Sequence, residues 1–396
     1  MTHRVAFRVA GRQSSAFRWY GGVLFALFSG VFFCAMPLVS AQIVSADHHL
    51  PAQAQNLSWG WIPTDKSPVL MIESGETVRI DTISHHGSTQ DEDPVSFLAG
   101  FGVEPNQILQ DVRDFWASRP GRPREGRTGA HVLTGPIAIE GAEPGDMLAV
   151  HVLEVSARTP YGFNSAGARS GALGDAYPGV RDGDRGADIA DDGGRAIIWT
   201  AMANAREYAL LGDNVRVPLA PFMGIMAVAP EAPAVGQPGV TVAGVQSSRP
   251  PGPYGGNLDI KELGPGATLY LPVFRSGALF YAGDPHGVQG DGEVSGTALE
   301  QSATGVFRFV LHKDTPLSAP RAETATHYLS VGIDLDLDRA LRKALLEAID
   351  FMVEEKGLTP REAFTLASLA VDFSVSEAVN QTQVVSGSIA KSLFSE

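Results

Sequence analysis

Thr268-Leu269-Tyr270-Leu271-Pro272-Val273 and Ala278-Leu279-Phe280-Tyr281 are two apolar runs on either side of Arg275-Ser276-Gly277. Two apolar runs around a short turn predict two β-strands joined as a hairpin. A second pair has the same form. Ile137-Ala138-Ile139 and the run Met147 to Val155 flank Glu143-Pro144-Gly145-Asp146, and Pro-Gly is a strong turn signal. Further strands are expected at Thr77 to Thr82, around Pro221–Ala229, and at Val306 to Leu311. In the last, Phe307, Phe309 and Leu311 share one face.

Helical signals are few. Residues 106–116 form a short helix in this reading. Leu337, Leu341, Leu345, Ile349 and Met352 recur at helical spacing, with Gly357 as the stop. Thr359-Pro360-Arg361-Glu362 is a capping box that opens a second helix, running to about Ala370. The expected fold is therefore a β-rich α+β body: a β-rich part over 42–230, then an α+β part over 231–396 that carries the C-terminal helices. Glycine (44) and proline (26) make up about 18% of the 396 residues, against roughly 12% in ordinary chains, which fits a body with many turns. Residues 160–196 are Gly/Asp-rich and read as a surface excursion. Asp182-Gly183-Asp184 opens like a calcium loop, but Gly186 and Ala187 break that pattern.

The amino terminus has its own character. Four arginines precede residue 19 with no acid among them, and no charge falls between Trp19 and Ala46. An apolar run and then Val39-Ser40-Ala41 complete the pattern of a secretory signal peptide over 1–41. The expectation is an exported protein, periplasmic or secreted, without stable membrane association once the signal is removed. Cleavage after Ala41 leaves 355 residues with a net charge of -18 and removes Cys34, the one cysteine. That excludes a disulfide scaffold, a thiolate metal site and a cysteine nucleophile. The net charge of -14 for the whole chain argues against nucleic acid as a partner.

The densest chemistry lies in Gly283-Asp284-Pro285-His286-Gly287-Val288-Gln289-Gly290-Asp291-Gly292-Glu293, directly after an apolar strand. Polar groups at the end of a buried strand sit on the rim of a rigid core, and the glycines let several side chains converge. Histidine with carboxylates and no cysteine suits Zn²⁺ or another divalent ion, whereas carboxylates and carbonyls alone suit Ca²⁺ or Mg²⁺. Asp259, in Asn257-Leu258-Asp259-Ile260, sits between apolar residues and if buried must be paired, protonated or metal-bound. One of His85 and His86 is a further candidate ligand, and so is His131. His151, His312 and His327 read as structural. No Gly-x-Ser-x-Gly elbow, Gly-Lys phosphate loop or His-Glu-x-x-His motif occurs.

Taken in order, these motifs resemble the acetamidase/formamidase family. Leu133-Thr134-Gly135-Pro136 with Glu140-Gly141-Ala142-Glu143-Pro144-Gly145-Asp146 is similar to its first signature. Asn257-Leu258-Asp259 and the stretch Gly283 to Glu293 are similar to the second and third, and Thr297-Ala298-Leu299-Glu300 continues the match. Ala363-Phe364, Ser368-Leu369-Ala370-Val371-Asp372 and Val379-Asn380 fit its closing segment. The likeness spans roughly residues 57–390. It implies a β-sandwich portion with a smaller α+β portion, hydrolysis of small linear amides to a carboxylate and ammonia, and a homo-oligomer. It matches Asp259, Asp284, His286 and Glu293 to the family's acidic and histidine positions, and with His85 from the reading above the expected ligands of a divalent metal, Zn²⁺ first and Ca²⁺ second, are Asp259, Asp284, His286 and His85. Glu293, Asp284 and Glu143 become the catalytic set, and Asn257, Gln289 and Thr134 the substrate contacts. Two rival readings keep the fold. In one, a carboxylate or serine attacks directly without metal. In the other, an exported protein binds small amides without turnover.

Overall fold

The computed structural model describes residues 44–118, 129–167, 170–176, 194–203 and 206–394. The segment 1–41, the basic loop Arg119–Arg127 and Asp182-Gly183-Asp184 lie outside the described residues. Val44–Glu396 forms one compact unit. Among the described residues, two large sheets dominate, and each draws strands from both sides of residue 230. The nine-stranded sheet includes Thr77–Asp81, Ala303–His312, Met147–Ala157 and Thr268–Pro272, and ends in the hairpin of Val371–Asn380 and Thr382–Ala390. The six-stranded sheet is built around Phe222–Val228, Phe280–His286 and Val132–Ile139. Their facing side chains form one core. Ile137, Ile225 and Phe280 come from the smaller sheet, and Val150, Leu271, Phe307 and Phe309 from the larger. This is the sheet-on-sheet packing the composition leads one to expect.

The two expected hairpins are not hairpins. Thr268–Pro272 pairs with Met147–Ala157 and Arg321–Glu323, whereas Phe280–His286 pairs with Phe222–Val228 and Val132–Ile139. The chain thus leaves one sheet at Pro272 and enters the other at Phe280. Met147–Ala157 and Val132–Ile139 likewise lie in different sheets. The physical reason is burial. Val132–Ile139 and Phe280–His286 are buried along their whole length, so each must be covered on both faces, which a paired ribbon alone cannot supply. Gly277, Ala278 and Leu279 all take positive φ (79°, 57° and 60°) and turn the chain between layers. The two crossings brace each other. Gly277 N donates to Ala142 O (2.8 Å), Ile139 N to Gly277 O (3.0 Å) and Ser276 Oγ to Glu143 Oε2 (2.7 Å).

The helices lie where expected, but the first C-terminal one turns a partly different face inward: Leu345, Ile349 and Met352 of the expected stripe pack on the core, whereas its first two leucines do not. Gln110–Ser118 is the short helix. Leu337–Lys356 ends at Gly357 in the left-handed conformation, and Thr359 caps Pro360–Ala370 through the full capping box. In Leu337–Lys356 the buried residues are Ala340, Ala344, Ala348 and Met352, while Leu337 and Leu341 are each 41% exposed. The cause lies in the strand beneath. A β-carbon on Gly332 would come within 2.0 Å of Ala340 O and 2.4 Å of Ala344 N, so the helix lies too close to the sheet for leucine. The start of the Gly/Asp-rich excursion is also ordered. Tyr161–Ser165 is a strand with Tyr161 and Phe163 buried, paired to Arg195–Ala203 in a smaller four-stranded sheet.

Candidate active site

The site forms where the end of the six-stranded sheet meets loops from the other layer. Phe280–His286 delivers Asp284 and His286, Gly255–Asn257 leads into Asp259, and His131 precedes Val132–Ile139. His85 and His86 follow Thr77–Asp81. Glu293 and Glu300 come from the segment before Ala303–His312, and Asn380 closes Val371–Asn380. Asp259, Asp284 and Glu293 all adopt left-handed backbone, at φ 48°, 51° and 46°. Such conformations cost on the order of 1–3 kcal/mol each and persist where the surroundings enforce them. Here they swing three carboxylates toward one centre.

The ring of His286 is fully buried between acids. Its Nε2 is 3.4 Å from Asp284 Oδ2 and 3.4 Å from Glu300 Oε1, and its Nδ1 is 3.9 Å from Asp259 Oδ1. His131 Nε2 is 3.7 Å from Asp284 Oδ2, and its Nδ1 faces Ser248 Oγ at 3.1 Å. His85 Nδ1 is 3.9 Å from Asp284 Oδ1 and 3.7 Å from Glu300 Oε2. Asn380 Nδ2 donates to Asp259 Oδ2 (3.1 Å) and Glu293 Oε2 (3.3 Å) and so ties the two acids together. Asn257 Nδ2 adds a third bond, to Asp259 Oδ2 at 2.8 Å. Glu377, fully buried, accepts from the backbone N–H groups of Val379 and Asn380 and holds that loop.

Burial sets the protonation of the cluster. Desolvation, with Glu293 alongside, pushes Asp259 well above the usual carboxylate range. Desolvation likewise raises Glu293, and it brings Glu300 to about 7. For Asp284 burial acts in the same direction, but His131, His286 and His85 outweigh it and hold the carboxyl below its ordinary value. Burial lowers His85 far below the ordinary histidine value and His86 to about 4.

Asp259 Oδ1, Asp284 Oδ1, His85 Nδ1, both ring nitrogens of His286 and Glu300 Oε2 are buried without a hydrogen-bond partner. Each such atom costs about 1–3 kcal/mol if left unmet. The trios His85/His131/Asp284, Asp259/Asp284/His286 and His286/Glu293/Glu300 each gather potential ligand atoms within 4.8 Å of one another, and Asp284 belongs to two of them. Nitrogen and carboxylate donors 3.4–3.9 Å apart match the ligand spacing around a divalent ion bound at about 2.0–2.2 Å. The residues present therefore fit a metal ion.

A cavity of about 600 Å³ opens onto this cluster, with His85, His131, Asp284, Glu293 and Glu300 in its wall. Of the residues expected from sequence, Asp259, Asp284, His286, Glu293 and His85 come together. Glu143 does not. It is exposed in the crossing turn and bonded to Ser276. Thr134, Asn257 and Gln289 are buried outside the cavity wall and serve the scaffold. Thr134 Oγ1 donates to Asp81 O, and Gln289 Nε2 to the carbonyls of Asp259 and Ser376. The reading of the residues gave no role to Glu300, Asn380, Glu377 or Gly224. Glu300 was visible only as the end of Thr297-Ala298-Leu299-Glu300. The others reach the site from strands far away in sequence.

Comparison with known proteins places the chain in a family. The model of the Acetamidase/Formamidase family matches residues 127–237 and 237–395. A formamidase of Methylophilus methylotrophus is 27% identical over 361 residues, covering 78% of this chain and 82% of that protein. A formamidase-like protein of Schizosaccharomyces pombe is 31% identical over 292 residues, and the match spans 64% of this chain and 63% of that protein. The crystal structure of an acetamidase from Yersinia enterocolitica superposes with a TM-score of 0.68 at 27% identity, covering 88% of this chain and 93% of the other. With its sandwich, its ordered motifs and this match over most of its length, the chain belongs to the acetamidase/formamidase family.

Proposed function

We propose that this protein hydrolyses the C–N bond of a small linear amide, turning one amide and one water into a carboxylate and ammonium. In this reading a divalent cation is held by Asp259, Asp284 and His286, flanked by His85, His131 and Glu300. One observation carries it: buried ligand atoms without partners cluster behind a cavity whose wall contains Asp284, His85 and Glu300. The formamidase and acetamidase relatives support the choice of an amide. Imidazole nitrogens beside carboxylates favour Zn²⁺ over Ca²⁺.

When bound, the cation supplies Lewis acidity, polarising the amide carbonyl and lowering the pKa of water toward about 7. The chain supplies the proton traffic. Glu293, in the cavity wall, takes the proton of the attacking water and returns it to the amide nitrogen as the C–N bond breaks, because nitrogen leaves only when protonated. Asn380 fixes the Glu293 carboxyl for that task. Export through residues 1–41 and self-assembly belong to the same proposal. Exposed Leu346, Phe364 and Leu369 on the C-terminal helices support an interface there. No described helix is long and apolar enough to cross a membrane.

The direct experiment is ammonia release by the metal-analysed protein, offered formamide, acetamide and larger amides with and without chelator. Turnover that chelation abolishes and one divalent ion restores supports the proposal. Turnover that survives complete metal removal moves the chemistry to a carboxylate acting alone, and no turnover on any amide overturns it.

A further inference from the structure

The cavity is larger than its expected cargo. About 600 Å³ lies within the range of roughly 300–1,000 Å³ that holds drug-sized ligands, whereas formamide and acetamide are molecules of a few heavy atoms. Its wall also carries two cations, Arg195 and Arg249. Neither guanidinium has a hydrogen bond or ion pair among the described residues, in a chain where 44 acidic residues outnumber 30 basic ones. Arg249 is half-buried, and its backbone is held in place. Its backbone N–H donates to Ser247 Oγ (3.1 Å), and the preceding residue, Ser248, holds the ring of His131. Both arginines share the cavity wall with Asp284, Glu293 and Glu300.

We propose that the amide taken by this site carries a carboxylate at its far end, held by Arg249 with Arg195 at the mouth, so that its substrates are short ω-carbamoyl carboxylates. This rests on the amidase reading above and names its substrate class. The guanidinium fork matches a carboxylate with two parallel hydrogen bonds, and a partly desolvated cavity strengthens such a pair. Asp284, Glu293 and Glu300 in the same wall repel that carboxylate, which favours binding with the carboxylate at the arginines and the amide at the acids. The reaction balances as one ω-carbamoyl carboxylate and one water giving a dicarboxylate and ammonium.

The experiment compares kcat/KM for succinamate and glutaramate with that for the chain-matched neutral amides butyramide and valeramide. The anionic amides are expected to be favoured about 100-fold, the scale of a charge-assisted pair of roughly 1.5–3 kcal/mol. Arg249→Gln is expected to bring that ratio to within a few-fold, mainly through KM, and Arg249→Lys to restore part of it. Calorimetric titration of glutarate into the wild type and Arg249→Gln reads anion recognition without turnover. At least tenfold weaker binding in the variant is expected. A wild-type protein that hydrolyses neutral amides as well as anionic ones overturns this inference and leaves the amidase reading standing. A protein inert toward every amide that still binds glutarate through Arg249 overturns the amidase reading and keeps the anion site, and one that does neither overturns both.

Discussion

Gly224 and Asp259 meet at the centre of the site: a β-carbon on Gly224 would stand 2.5 Å from Asp259 Oδ1 and 2.9 Å from Asp284 Oδ2. Only a hydrogen there leaves room for both carboxylates. Gly224 lies opposite Asp284 in the unbroken register of Phe222–Val228 with Phe280–His286. Gly224→Ala is expected to reduce metal content and amide turnover by at least 10–100-fold, the usual scale when ligand orientation is disturbed. Overpacking adds about 1–3 kcal/mol of destabilisation. Metal analysis, ammonia release and a thermal melt on one preparation check this, and a variant with wild-type metal content and rate refutes it.

Asn380 spans Asp259 and Glu293 with a single amide nitrogen. Replacing it with alanine removes both bonds and leaves two buried carboxyls to drift. The expected result for Asn380→Ala is a 10–100-fold loss in kcat with a smaller change in KM, because the residue aligns the proton carrier and does not grip substrate. Steady-state kinetics that show only a raised KM rule out the alignment role.

The inward face of Leu337–Lys356 yields a contrast between two neighbours. Ala344 is fully buried against Gly332, whereas Leu341 is 41% exposed. Ala344→Leu is expected to destabilise the protein by about 1–3 kcal/mol or more through overpacking. Leu341→Ala is expected to stay within about 0.5 kcal/mol of wild type, as surface changes usually do. Denaturant melts of the two variants decide the matter, and equal effects contradict the burial pattern.

Asp334 ties the start of that helix to the sheet. Its Oδ1 accepts from Arg339 Nε and its Oδ2 pairs with Lys343 Nζ, both at 2.9 Å. The Lys343 contact above all lowers its pKa to about 2 from an ordinary 3.8. A depressed carboxylate contributes stability above its unfolded pKa and loses it as pH falls through the folded one. Asp334→Asn should therefore be less stable than wild type at pH 7, by up to about 1 kcal/mol for a solvent-accessible network. The difference should fade between pH 4 and pH 2. Paired melts across that window measure it, and a gap that persists at pH 2 assigns the effect to something other than charge.

Strand positions, both C-terminal helices and their caps could be read from sequence because each depends on local pattern: Phe307 and Phe309 at period two, and Thr359 with Glu362 at a fixed offset. The pairing could not. The runs around Gly277 look like a hairpin, and only burial on both faces sends them to separate sheets. The leucine stripe of Leu337–Lys356 misled for a related reason. The surface beneath the helix was shaped by Gly332, which no helical period encodes. In the site, Asp284, His286 and Glu293 were legible because the glycine-rich segment gathers them in sequence, and Asp259 because a carboxylate stands between apolar residues. Glu300 and Asn380 stood only as ends of matching motifs, and Gly224 and Arg249 enter by tertiary contact alone.

The crossings between layers also bear on time. Thr82 bonds to Ala303 across 221 residues of chain, and Met147–Ala157 finds its partners only in Thr268–Pro272 and Ala303–His312. That strand, at the centre of the larger sheet, cannot pair before the last third of the polypeptide exists. Chains dominated by such distant contacts fold slowly, and their apolar runs stay open to other molecules in the interval. The architecture that brings residues as distant as His85 and Asn380 into one site thus makes the newborn chain dependent on whatever guards it until residue 300 and beyond has arrived.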